Sequence, residues 1–351
     1  MTEAQDFENV FTKRRRIALL AANNPQMAFT SLNHYLDVEW LCYAFYQTRK
    51  DGAPGVDGQT WHDYEANLEE NLRSLLDRAK SGTYRAPPVR RVHIPKGGST
   101  TETRPIGIPT LEDKVLQRAV MMILEAIYQW QFYDCSFGFR RGYSAHDALE
   151  TLWQQSRKIG VQWILEVDIR KFFDTLDHRH LREFLQLRVR DGVLLRLIGK
   201  WLKAGILEGD LISYPEAGSP QGGVISPILA NAYLHYVLDD WFHKEVLPRL
   251  EGRAFLIRYA DDFVIGLTSE RDAHRLMDVL PKRFAKDGLT IHPEKTRLVS
   301  FGRPRKGHVP RGQRPGTFDF LGFTHYWGLS LKGNWVIKRK TARDRFTRAV
   351  T

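Results

Sequence analysis

Three aspartates carry the chemistry that this sequence offers. Asp261 and Asp262 stand side by side at the turn between two apolar runs, Ala254 to Tyr259 and Phe263 to Leu267. Adjacent carboxylates repel each other, and Asn-Gly or Asp-Gly makes a less costly hairpin turn. An exposed acidic turn is the common reason for such a pair. Asp168, closing the apolar run Leu165-Glu166-Val167-Asp168, supplies a second reason. Two neighbouring strand ends would gather three carboxylates around one point. Such a cluster calls for divalent cations, and its hard oxygen donors suit Mg²⁺, with Mn²⁺ as the substitute. Two ions per site would then serve phosphoryl transfer, one lowering the pKa of an attacking hydroxyl and the other clamping the leaving phosphates. Asp168 and Asp261 take the bridging places, with Asp262 as third ligand or orienter.

The elements that must hold these groups can be traced outward from them. Val161 to Asp168 predicts a strand, followed by a helix from about His178. Ser226-Pro227 marks a helix start, a capping side chain with proline in the first turn, and the helix runs on through Leu229, Tyr233 and Val237. A helix from about Arg271 to Lys286 and a strand from about Thr296 to Phe301 follow the acidic hairpin. Upstream, Pro87 to Pro109 predicts a β-hairpin, Val89 to Pro95 and Thr103 to Pro109, around a Gly97-Gly98-Ser99 tip. Thr110 with Asp113 caps the next helix, whose apolar face is Val115, Ala119, Met122, Ile123, Ala126, Ile127 and Trp130. Asp51 to Gly58 is a turn-rich loop after a helical N-terminal region. This order suggests an α+β fold with helices packed on one face of an antiparallel sheet.

Composition sets the outer limits. The chain has 351 residues, 42% hydrophobic and 26% charged, enough for roughly two domains. No run approaches the roughly 20 apolar residues that cross a bilayer, and the polar, basic start resembles no secretory signal. Cys42 and Cys135 are the only cysteines, too few for a disulfide framework or a four-cysteine zinc site. A reducing cytoplasm is the simplest compartment. Net charge is +11, and twelve Lys and Arg against Asp319 and Asp344 place almost all of it in residues 301–351. That tail is either a solvated segment or a surface gripping phosphates. Its interleaved Phe318, Phe320, Phe323, Tyr326, Trp327 and Trp335 favour the second.

With these residues in view, Tyr259-Ala260-Asp261-Asp262 resembles the Tyr-x-Asp-Asp signature of reverse transcriptases. Asp168 followed by Phe173 is similar to their first catalytic motif, and Ser219 to Pro227 to their nucleotide-pocket motif. The nearest resemblance is to the enzymes encoded by bacterial group II introns. It is carried by Ala53 to Gly58, Arg104 to Pro109, Ser136 to Arg140, Asn231 to His235, His292 to Thr296 and Phe318 to Thr324, and covers about Leu32 to Lys340. One departure is Arg141, where the family pattern has proline.

The resemblance implies a right-hand polymerase with an antiparallel-sheet palm, helical and β-hairpin fingers, and a thumb largely missing. Its segments would be an N-terminal helical extension at 1–60, fingers at 61–160, palm at 161–328, and a basic stub leading to the thumb at 329–351. It implies an RNA-directed DNA polymerase using an RNA template, a DNA primer and dNTPs, with intron RNA as a further partner and no membrane. Among site residues it implies Ile169 as an additional metal ligand. Lys96, Arg104, Phe173, Gln221 and Gly222 would bind nucleotide, Phe173 as the gate against a 2′-hydroxyl. Lys295 would be a general acid, and Phe320, Leu321 and Gly322 the primer grip. An intron-RNA-binding maturase without polymerisation is the alternative. An RNA-dependent RNA polymerase is a third reading, opposed by Phe173.

Overall fold

A computed structural model describes residues 7–95, 103–209, 211–214, 217–218, 222–304 and 316–343. The chain forms two compact units, each discontinuous in sequence: Met1–Phe132 with Phe173–Tyr233, and Tyr133–Phe172 with Leu234–Thr351. In chain order the strands are β1 (Val89–Pro95), β2 (Thr103–Ile108), β3 (Trp163–Val167), β4 (Ile206–Glu208), β5 (Leu211–Ser213), β6 (Ala254–Tyr259), β7 (Asp262–Leu267), β8 (Arg297–Ser300), β9 (Phe318–Phe320), β10 (Phe323–Leu329) and β11 (Trp335–Thr341). Helices and mainly antiparallel sheets, with β1 and β4 the one parallel pair among the named strands described, make the fold α+β.

The first unit holds a four-stranded sheet in the order β2-β1-β4-β5. β1 and β2 form the expected hairpin, with β2 ending before Pro109, which has no N–H to give the ladder. The helix Leu111–Tyr128 starts at Thr110, whose side chain accepts from the Asp113 N–H. Its apolar face is buried as the spacing predicts, with one correction. Trp130 lies in the turn beyond the helix end and is 62% exposed, because the helical period no longer applies there. The loop at Asp51 to Gly58 is tied down by Arg90, which donates to the Pro54 carbonyl at 2.8 Å, and by Lys114, which donates to the Ala53 carbonyl at 2.5 Å.

Asp113 itself is fully buried. Tyr84 and Trp201 both donate to its Oδ1, Trp201 at 2.9 Å. Burial pushes its carboxyl up to about 7, against Trp201's pull downward. An acid raised in the folded state binds more protons there than in the unfolded chain, so this group's contribution to stability falls as pH rises from about 4 to about 7. Asp113→Asn keeps Oδ1 as acceptor and is expected to abolish that slope, which reaches about 1.4 kcal/mol per pH unit. Urea midpoints of both proteins at pH 4 to 8 measure it, and parallel curves would refute the assignment.

The second unit is built on a sheet in the order β6-β7-β3-β8, all antiparallel, and a small sheet in the order β11-β10-β9. Helices do not lie on one face only. The helix Glu270–Lys286 covers one face, Phe284 stacking on Phe263 at 5.9 Å. The other is covered by Ala148, Leu149 and Leu152 of the helix Ala145–Ile159 and by Phe318, Phe320 and Ile337 of the small sheet. The cause is visible in β6 and β7, which are apolar at nearly every position and must be buried on both sides. β11 is an edge strand carrying Lys338, Arg339 and Lys340. Edge lysines resist pairing with other chains, so part of the basic tail has a structural duty.

Candidate active site

The second unit brings most of the expected catalytic residues to one sheet end. β3 pairs antiparallel with β7 as far as Val167 opposite Phe263, so Asp168 and Asp262 come next in register. Both line an open cleft of about 490 Å³, together with Lys295 and the Phe320-Leu321-Gly322 turn. Lys295 Nζ lies 3.1 Å from Asp168 Oδ2. The backbone around them is stitched: His292 N donates to the Asp168 carbonyl at 2.8 Å, and Asp168 N to Thr296 Oγ1 at 3.4 Å. Asp261 occupies the turn before β7, partly buried, and is not among the cleft-lining residues. Ile169 is buried beyond the strand end and bridges to Ile291. Among the described residues no three His, Cys, Asp or Glu side chains form a group that could hold a metal ion.

The acidic turn has a brace that the sequence reading did not assign. Arg258, on β6, is wholly buried. It makes a two-pronged pair with Asp239, Nε to Oδ1 at 2.8 Å and Nη2 to Oδ2 at 2.5 Å. Its remaining donors reach the Ala260 carbonyl at 3.0 Å and Ser136 Oγ at 2.7 Å. Burial alone would lower its pKa, but the charge and hydrogen bonds of Asp239 raise it instead, so the cation is permanent. Ser136 bridges to Arg258 through the backbone too: Arg258 N donates to the Cys135 carbonyl at 2.7 Å and Phe137 N to the Arg258 carbonyl at 2.8 Å. Ala260 sits in the left-handed region at φ 57°, a conformation that costs an L-residue roughly 1–2 kcal/mol. The brace holds that strain in place.

The Phe320–Gly322 turn is similarly constrained. Phe320 pairs with Phe323, and Leu321 and Gly322 both have positive φ, 50° and 79°, the signature of a two-residue type I′ hairpin. Leucine there is strained, and strain of this kind gathers at ligand-contacting turns. Glu166, Arg297 and Asp319 also line the cleft, Arg297 Nε meeting Glu166 Oε2 at 2.7 Å. Burial raises the Glu166 carboxyl above the usual range, against the pull of Arg297.

The nucleotide-binding candidates belong to the first unit. Arg104 is exposed on β2, opposite Ile94. Phe173 is partly buried in the short helix Phe172–Thr175. Gly222, at φ 107°, lies against β2: a Cβ there would fall 2.5 Å from the Gly107 carbonyl oxygen and 2.6 Å from Ile106 Cγ2. Only glycine meets both demands, so Gly222 of one motif packs on Ile106 and Gly107 of another. Lys96 and Gln221 lie outside the described residues.

Comparison with known proteins decides the family. Residues 94–325 match the model of the family described as Reverse transcriptase (RNA-dependent DNA polymerase). The chain belongs to the reverse transcriptase family. Its relatives include Protein YkfC of Escherichia coli, 36% identical over 72% of this chain and 74% of that protein. Group II intron-encoded protein LtrA of Lactococcus lactis subsp. cremoris is 39% identical over 88% of this chain and 61% of LtrA. An uncharacterized 91 kDa protein in a cob intron of Schizosaccharomyces pombe is 32% identical over 76% of this chain and 31% of its own length. The chain thus spans about three fifths of the intron-encoded LtrA. One signal could have exposed the Arg258 brace: a charged residue facing inward in an apolar strand must have a buried partner.

Proposed function

We propose that the chain is an RNA-directed DNA polymerase, adding dNTPs to a primer 3′-hydroxyl in the setting of a group II intron or related retroelement. The observation that carries the reading is the shared cleft of Asp168, Asp262, Lys295 and the Phe320–Gly322 turn, within a family of RNA-dependent DNA polymerases. In this reading the β6-β7-β3-β8 sheet is the palm, and the β1–β2 hairpin with its helices forms fingers. Asp168, Asp261 and Asp262, with the Ile169 carbonyl, would hold Mg²⁺. Their hard oxygen donors suit that ion, and Lys295 already places one positive charge against Asp168. When bound, the metal supplies acidity to the attacking hydroxyl and neutralises the leaving pyrophosphate. Lys295 donates a proton to pyrophosphate, Arg104 and Lys96 hold the triphosphate, and Gln221 and Gly222 line the base pocket. Phe173 excludes a 2′-hydroxyl, and Phe320 to Gly322 grip the primer.

Asp261→Ala is expected to lower primer extension on an RNA template with Mg²⁺ and dNTPs by about 10³-fold or more, the loss of several kcal/mol of charge stabilisation. Equal product from wild type and variant, or none from wild type, overturns the proposal. One observation favours a second reading, binding of intron RNA without synthesis: Asp261 stands outside the cleft that Asp168 and Asp262 share. Intron RNA binding that survives Asp261→Ala, with no dNTP incorporation by wild type, decides for it.

A further inference from the structure

The first unit contains a second cleft, of about 660 Å³, whose lining is opposite in charge to the catalytic one. Arg85, Arg182, Arg196, Lys200 and Lys203 line it, and among the described residues no Asp or Glu does. None of the five pairs with a carboxylate among the described residues. Two are fixed in place by neutral acceptors instead. Lys200 donates to the Gly82 carbonyl at 2.7 Å and to the Tyr84 carbonyl, and Arg196 to the Lys80 carbonyl at 3.2 Å. Carbonyls orient a cation without cancelling its charge, so the cleft keeps a field of one sign, and a concave wall focuses it.

The charges are spread rather than converging. Arg182 comes from the helix His178–Gln186, Arg196 and Lys200 from Gly192–Leu202, and Arg85 and Lys203 from the flanking loops. A single phosphate would be met by convergent donors; a row of them suits a phosphodiester backbone. Tyr214 completes the lining and is 71% exposed. Its ring rests on Gly205, where a Cβ would come within 3.1 Å of Tyr214 Cε1. A ring seated on backbone beside a cationic row is the arrangement on which unpaired bases stack.

We infer that this cleft binds a single-stranded nucleic-acid segment without sequence preference, Arg182 and Lys203 meeting phosphates and Tyr214 stacking on a base. The inference rests on the nucleic-acid reading of the chain but uses none of its catalytic residues. RNA and DNA strands share this chemistry, so the test uses both. The full chain is titrated, without divalent metal, into labelled oligo(U) and oligo(dT), across a range of salt concentrations. Each phosphate contact on a single strand contributes about 0.7 to the salt slope, so Arg182→Glu with Lys203→Glu is expected to lower the slope by roughly 1.4 and affinity by about tenfold or more. Tyr214→Ala is expected to lose about five- to a hundredfold in affinity at unchanged slope. Lys158→Glu with Lys282→Glu, exposed residues of the second unit, matches the change in net charge and is expected to keep the parental slope. All three variants alter exposed side chains, and each is expected to unfold thermally with the parental midpoint. Asp168→Asn is expected to abolish synthesis while leaving this binding intact, which separates failure of the polymerase reading from failure of the site. A charge-reversed cleft with the slope of the control overturns the inference. Weaker binding of oligo(dT) than of oligo(U) by the parent and the control variant, a preference lost in the charge-reversed cleft, would assign the site to RNA.

Discussion

Arg258→Leu is expected to destabilise the second unit by about 3–5 kcal/mol, because Asp239 is left as an uncompensated buried charge. Both partners are wholly inaccessible to solvent, so water cannot take the place of the lost guanidinium. The substitution also strips a donor from Ser136 Oγ and from the Ala260 carbonyl, each worth a further fraction when left unmade. Asp239→Leu is expected to be as costly, since it strands the cation. The double variant removes both charges and is expected to recover a good part of the loss, as buried ion pairs often do when replaced by apolar pairs of similar size. Urea unfolding of the four proteins completes the cycle. Additive losses in the double variant would show that the pair is not the source of the effect.

That pair also shows where sequence reading stopped. The hairpin of the first unit, its helix from Leu111 and the strands around Asp168 and Asp262 were legible because each repeats a local rule: alternation, a cap, an apolar run closed by a polar residue. Strand order suggested that Asp168, Asp261 and Asp262 would gather around one point. Asp168 and Asp262 do line one cleft, Asp261 does not, and the place of Lys295 beside Asp168 came from the resemblance rather than from strand order. What could not be read was the partner of Arg258. Asp239 lies in the irregular helical stretch after Leu234, where π-type turns shift the residues off the 3.6 period, so no spacing points from one to the other. The second covered face of the sheet was missed for a related reason. A run such as Phe263-Val264-Ile265 reports burial on both sides, but not whether a helix or a second sheet provides it.

The Ser136 to Arg140 motif gains its meaning from the same turn. Gly138 has its backbone against the acidic hairpin so closely that a Cβ would fall 2.3 Å from Ala260 N and 2.9 Å from Tyr259 C. Neither atom belongs to a flexible side chain, so Gly138→Ala must displace the backbone that presents Asp261. Overpacking of this kind costs about 1–3 kcal/mol, a loss that the folded unit tolerates. The larger effect is expected on synthesis. A shift on the order of 1 Å in reacting groups costs about 10²-fold in rate, and here it falls directly on a carboxylate proposed to hold metal. Primer extension by Gly138→Ala is therefore expected to drop by about 10²-fold, with more Mg²⁺ needed for half-maximal rate, while its circular dichroism stays that of the parent. The raised Mg²⁺ requirement is the discriminating readout, because a merely less stable protein with its turn in place would lose active fraction and keep the same metal dependence. A variant that matched wild type in rate and in Mg²⁺ dependence would mean that the turn does not need the position Gly138 allows it, and that the brace around Arg258 serves the fold alone.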